Sequence, residues 1–131
     1  KYLEAVQDVA GLSRSHPGLA AAFAIFMFSL AGVPPLFGFW GKLVVFNAAV
    51  AANLLPLAVI AISASVIGAF YYLKVVKVIY FDEPTAEIAK ADGRSLPAIV
   101  ALTAIAVSPL GYFAIPYLAA ITEKVAGAVF L

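Results

Sequence analysis

One residue stands apart as a candidate for chemistry. Lys42 is the only Asp, Glu, Lys or Arg between Arg14 and Lys74. It closes the run Ser29-Leu-Ala-Gly-Val-Pro-Pro-Leu-Phe-Gly-Phe-Trp-Gly-Lys42. A lysine amine releases its proton more readily when desolvated and holds it beside a carboxylate, so a lysine at membrane depth can pass protons as its surroundings change. No carboxylate occurs in the adjoining stretches, so an acidic partner would have to come from other chain or from another subunit. The alternative is a lysine that stretches to the membrane surface. Lys42 lies about ten residues from the end of its uncharged stretch, roughly 15 Å at helical rise, which is beyond comfortable reach.

Around this lysine a few polar groups are candidates for a proton path. Ser63 and Ser65 could hold water beside it, although Ala61, Ser65 and Gly68, with Ala64 and Gly68 as a small-xxx-small pair, equally suit close helix packing. Tyr72 and Lys74 follow on the same stretch as further candidates, while Tyr71, Tyr72, Tyr80, Lys74 and Lys77 also fit an interfacial belt. His16 is expected at the surface, and no ligand set with metal spacing accompanies it, so no metal site is expected. There is no cysteine, no Ser–His–Asp arrangement, no P-loop and no dinucleotide fingerprint. Any redox chemistry therefore belongs to partners and not to these residues.

The elements that must position Lys42 follow from composition. Of 131 residues, 65% are hydrophobic and 11% charged, against about 45–50% and about 25% in ordinary globular domains. A domain this small cannot hide so much apolar surface from water, and mean hydropathy is +1.07. A soluble domain is excluded, and an all-α integral membrane fold is expected. The net charge of +1 offers no surface for nucleic acid. The chain begins with Lys1 and shows no signal-peptide pattern, so it reads as the C-terminal piece of a longer polypeptide.

The gaps between charges lay out the order: an interfacial segment over 1–16, a discontinuous transmembrane helix over 17–52, a second over 54–80, a cytoplasmic loop over 81–95, and over 96–131 a third transmembrane helix with an amphipathic end. Three crossings are expected. Arg14 precedes the first two of them and Lys74, Lys77, Lys90 and Arg94 follow, which puts both groups at the cytoplasmic face. Leu3, Val6 and Val9 share a helical face near the start, and Leu118, Ile121, Val125 and Val129 another near the end. Either stripe suits a helix at the membrane surface or packing against neighbours.

The first crossing should be broken. Pro34 and Pro35 have no N–H for the carbonyls of Leu30 and Ala31, and the residues before them resist the α conformation. With Gly32 and Gly38 on either side, the helix is expected to stop near Gly32 and resume around Phe39. Irregular backbone at membrane depth is tolerated where it is buried in protein or lines a watery cavity, and broken helices mark ion sites. The first half ends in free carbonyls, a negative pole that favours a cation, and Lys42 is placed to use it.

This run, extended through Leu43-Val-Val-Phe46, resembles the broken helix near the C-terminus of the antiporter-like subunits of respiratory complex I, the proton-pumping NADH–quinone oxidoreductase. Ala10-Gly-Leu-Ser-Arg-Ser-His-Pro17 is similar to the segment that enters that helix, and Tyr71-Tyr-Leu-Lys-Val-Val-Lys-Val-Ile-Tyr-Phe-Asp-Glu-Pro84 to the exit of the next one in the N type, subunit 2 of mitochondria. The resemblance covers Ala10 to Pro84; from Thr85 onward only a final apolar helix matches. Lysine at position 42 looks like the N type, where the M type has glutamate and the L type a Ser-Lys-Asp pattern.

The resemblance implies the last three helices of an antiporter-like bundle, with Lys42 as the lysine assigned to proton transfer toward the periplasm. It implies membrane partners, especially neighbouring antiporter-like subunits, and lipid. NADH, flavin, iron–sulfur clusters and quinone would sit in other subunits. A bacterial inner membrane is expected, with mitochondrial inner or thylakoid-type membranes fitting less well. Two other functions remain in view: a stand-alone Mrp-type cation–proton antiporter subunit, and a structural membrane subunit whose broken helix is only a packing device.

Overall fold

Among the described residues the long apolar runs are helical over most of their length. The computed structural model describes residues 5–85, 87 and 93–130, with Phe130 described by its backbone. A 3-10 turn, Val6–Val9, and one short helical turn, α1 (Leu12–Ser15), precede α2 (Pro17–Ala31), α3 (Phe37–Ala51), α4 (Leu55–Phe81) and α5 (Ser95–Val107). A 3-10 segment, Pro109–Ala114, then leads into α6 (Ile115–Phe130). No strand occurs among the described residues.

Of the N-terminal stripe, Val6 and Val9 lie in the 3-10 turn, where Val9 packs against the core and Val6 is exposed. Gly11, in the left-handed region at φ +66°, ends the first turn and donates its N–H to Val78 at 3.2 Å. Leu12, Ala20 and Ile79 are fully buried together, with Val9, Leu19, Phe23 and Val75 against them. The segment is thereby docked on the end of α4, and Arg14 shares that end with Lys74 and Lys77, the latter paired with Asp82 at 3.3 Å. Leu3, Glu4, Lys90 and Asp92 lie outside the described residues.

Helix α2 starts at this end, where α4 finishes and α5 begins, so α2 and α4 are antiparallel and make the main packing contact. α3 continues from α2 and turns into α4 through Asn53, whose φ of +59° suits a short polar side chain. The second helix, expected over 54–80, is Leu55–Phe81.

The count of three crossings meets a more broken chain. Among the described residues, only α4 is long and apolar enough to cross by itself; α5 and the stretch from Pro109 qualify as a pair, bent by 65°. α2 and α3 have 15 residues each, about 22 Å at helical rise. The last region is therefore interrupted as the first one is, at Pro109, which removes a backbone donor. Ser108 caps the new turn by accepting the Leu110 N–H at 3.3 Å. The stripe Leu118, Ile121, Val125 and Val129 is exposed along α6, and α4 from Val59 to Lys77 is exposed or half-buried throughout.

Candidate functional site

The interruption at 32–36 is closed by its own backbone. Gly32, at φ +83°, follows the last residue of α2 and lets the chain reverse. Val33 N–H donates to the Phe28 carbonyl and Gly32 N–H to that of Ser29, both at 3.1 Å, the paired pattern of a Schellman ending. Leu36 N–H then returns to the Val33 carbonyl at 2.9 Å. The carbonyls of Leu30 and Ala31 are those the two prolines cannot serve.

Lys42 takes one of them. Its Nζ donates to the Leu30 carbonyl at 2.8 Å, a charge-assisted bond at the negative end of α2. Gly32 leaves room for the lysine stem, since a Cβ there would lie 3.1 Å from Lys42 Cδ. No carboxylate is paired with Lys42 among the described residues.

The start of α3 is set from across the gap. Ser29, a buried residue of α2, accepts the Gly38 N–H with its hydroxyl at 3.1 Å. This serves one of the open donors at the helix start. Gly38 is thus not part of the irregular stretch but lies in the first turn of α3, which resumes at Phe37 and not around Phe39. A Cβ at Gly38 would overlap the Ser29 carbonyl oxygen, so the two half-helices touch backbone to backbone. Pro34 and Pro35 remain within the irregular stretch, joined by a cis peptide bond.

A cavity of about 260 Å³ opens between α3 and α4 beside the lysine, walled by Gly32, Phe39, Lys42, Ile62 and Ser65 among others. Ser65 therefore shares this cavity with Lys42. Ser63 does not, and its hydroxyl donates back to the Val59 carbonyl at 2.8 Å. Tyr72 and Lys74 do not wall the cavity. Tyr72 follows Ser65 and Ala69 on one face of α4, about two turns on, and Lys74 is exposed near the helix end.

Two further groups have surroundings that their sequence context hides. Tyr112 donates its phenol to the Leu36 carbonyl at 2.9 Å, although 76 residues separate them. His16, expected at the surface, is half-buried. Its Nδ1 lies 3.0 Å from the Ser15 hydroxyl, and Nε2 is enclosed without a hydrogen-bond partner. It is enclosed where the start of α2 faces Leu96 and Pro97 of α5, across an apolar cavity of about 570 Å³. Among the described residues no group of three His, Cys, Asp or Glu side chains could hold a metal ion.

The family model described as NADH:quinone oxidoreductase/Mrp antiporter, TM, matches residues 2–68. NADH-quinone oxidoreductase subunit N of Rhizorhabdus wittichii is 59% identical over 129 residues, 98% of this chain and 27% of that protein. The subunit N of Erythrobacter litoralis is 48% identical over 129 residues, 98% of this chain and 26% of that protein. A chain in the structure of respiratory complex I from Thermus thermophilus with bound aureothin superposes with a TM-score of 0.70 at 31% identity, covering 85% of this chain and 26% of that one. The chain thus spans about a quarter of the length of these relatives.

Proposed function

We propose that this chain, which belongs to the NADH:quinone oxidoreductase/Mrp antiporter transmembrane family, is the C-terminal part of an N-type membrane subunit of a proton-pumping NADH–quinone oxidoreductase. In this reading Lys42 transfers protons, coupled to electron transfer in other subunits. The relatives named above bear the name of that subunit. The observation that carries the role of Lys42 is its ammonium donating to the carbonyl that the broken helix leaves open, on the wall of a cavity it shares with Ser65.

As an ammonium, Lys42 satisfies the Leu30 carbonyl and sits at the negative pole of α2. As a neutral amine it loses the charge that strengthens that contact and can turn toward the cavity. Water there, with the Ser65 hydroxyl as donor and acceptor, supplies the exchange route. Tyr72 extends it along α4 toward the end that bears Lys74. NADH, flavin, iron–sulfur clusters and quinone belong to partner subunits in this reading.

The arrangement in the membrane is part of the proposal: α2 with α3, then α4, then α5 with α6 make three crossings, and the end with Arg14, Lys74 and Lys77 faces the cytoplasm of a bacterium. The exposed apolar length of α4 calls for cover by lipid and by neighbouring antiporter-like subunits.

The test uses the full-length subunit, tagged in its native membrane. It is expected to co-purify with NADH-oxidising subunits, and inverted vesicles should acidify when NADH is added. Recovery without redox subunits, together with cation–proton exchange that needs no NADH, would assign it to the antiporters instead.

A further inference from the structure

We propose that Tyr112 is a positioning residue for Lys42: its phenol clips the interruption at 108–114 to the one at 32–36 and so fixes where α3 begins. The inference rests on Lys42 being the proton-transfer group.

The contact joins two irregular stretches at one level of the bundle. Tyr112 donates to Leu36 at 2.9 Å in a half-buried setting. Leu36 is itself buried, at 8% exposure, and immediately precedes α3. Its carbonyl also accepts the Phe39 N–H at 3.1 Å, so the phenol acts on the first turn of that helix. The neighbouring backbone is pressed into place as well. Gly111 is buried, and a Cβ there would lie 3.4 Å from the Phe37 ring and overlap the Ala106 carbonyl. The 3-10 segment therefore meets the start of α3 through Gly111 and Tyr112, with Tyr112 as its polar anchor.

Lys42 stands six residues beyond Leu36, less than two turns. Its bond to Leu30 spans from α3 back to α2, so it holds only while the two half-helices keep their mutual placement. Ser29 ties Gly38 from the side of α2, and Tyr112 ties Leu36 from the side of the last helices. Removing the phenol hydroxyl leaves the start of α3 held from one side only. A displacement of about 1 Å at a reacting group can lower a rate by about a hundredfold.

The experiment places Tyr112→Phe in the full-length subunit of the assembled complex. Two quantities are read: NADH-driven proton pumping per assembled complex, and amide hydrogen exchange by peptide. Pumping is expected to fall by about two- to tenfold, and amides over 33–42 to exchange faster by a similar factor, while those over 55–81 keep their rates. Unchanged pumping overturns the proposal. So does exchange that rises equally through α4, which would mark a general loosening, or exchange over 33–42 that does not rise. Lys42→Ala is measured beside it. Full pumping in Lys42→Ala overturns the role of Lys42 itself, whereas impaired pumping there with an unaffected Tyr112→Phe overturns only the clip.

Discussion

Replacing Lys42 by arginine is expected to lower NADH-driven proton pumping by at least about tenfold in complexes that assemble normally, and replacing it by alanine to lower it at least as far. Arginine keeps a positive charge under conditions in which a buried lysine can shed its proton, and its planar fork is larger than an ammonium. The ammonium now makes a single bond to the Leu30 carbonyl, beside a Gly32 position that leaves only 3.1 Å between a Cβ and the lysine stem. A guanidinium in that space supplies charge without proton exchange. Pumping is measured in inverted membranes and corrected for the amount of complex, with NADH oxidation followed in parallel, since tight coupling lowers both together. Full pumping in Lys42→Arg would show that charge alone suffices, and full pumping in Lys42→Ala would remove Lys42 from the mechanism.

Gly38→Ala and Gly41→Ala, three residues apart on one helix, should behave in opposite ways. At Gly38 the added methyl collides with the backbone carbonyl of Ser29, which cannot swing aside as a side chain can. Such overpacking costs about 1–3 kcal/mol, and it also pushes the Gly38 N–H away from the Ser29 hydroxyl, 3.1 Å distant. At Gly41 the methyl meets nothing within 4 Å in the described chain, and exchanging glycine for alanine inside a helix favours the helix by about 1 kcal/mol. The amount of assembled complex on native gels is expected to drop several-fold for Gly38→Ala and to stay at the wild-type level for Gly41→Ala. Equal amounts would mean that the half-helices do not approach as closely as the structure has them.

Where the sequence speaks clearly, the signal is local. The missing donors of Pro34 and Pro35 announce an interruption without any knowledge of the fold, because the loss is covalent. The solitude of Lys42 in an uncharged stretch is equally plain. What stays illegible depends on residues far along the chain. The resumption at Phe37 hangs on the Ser29 hydroxyl, nine positions back from Gly38, and no spacing rule for helix starts reaches that far. Nothing in its local sequence singles out Tyr112, because the Leu36 carbonyl that it serves lies 76 positions away. His16 reads as solvated because its neighbours in sequence are polar, yet residues of α5 some 80 positions later face it. Pro109 and Gly111 carry the same kind of signal as the first proline pair, but a single proline also suits the end of a helix, so the 65° bend is not written there alone.

The doubly tied interruption has a consequence for timing. A hinge must be compliant, and this stretch is tied at several points: the Schellman pair closes one side, Ser29 and Tyr112 hold the other, and the Lys42 amine takes the Leu30 carbonyl, one of the two that the prolines leave open. In the proposed role of Lys42, the carbonyl dipole aimed at it would stand still through a cycle, like a fixed electrode, and little reorganisation would accompany arrival or departure of a proton. A stationary field cannot keep time. If Lys42 transfers protons as proposed, the clock for that transfer must tick in the groups that approach it, and the stretch from Gly32 to Gly38 supplies the fixed reference against which their movement is read.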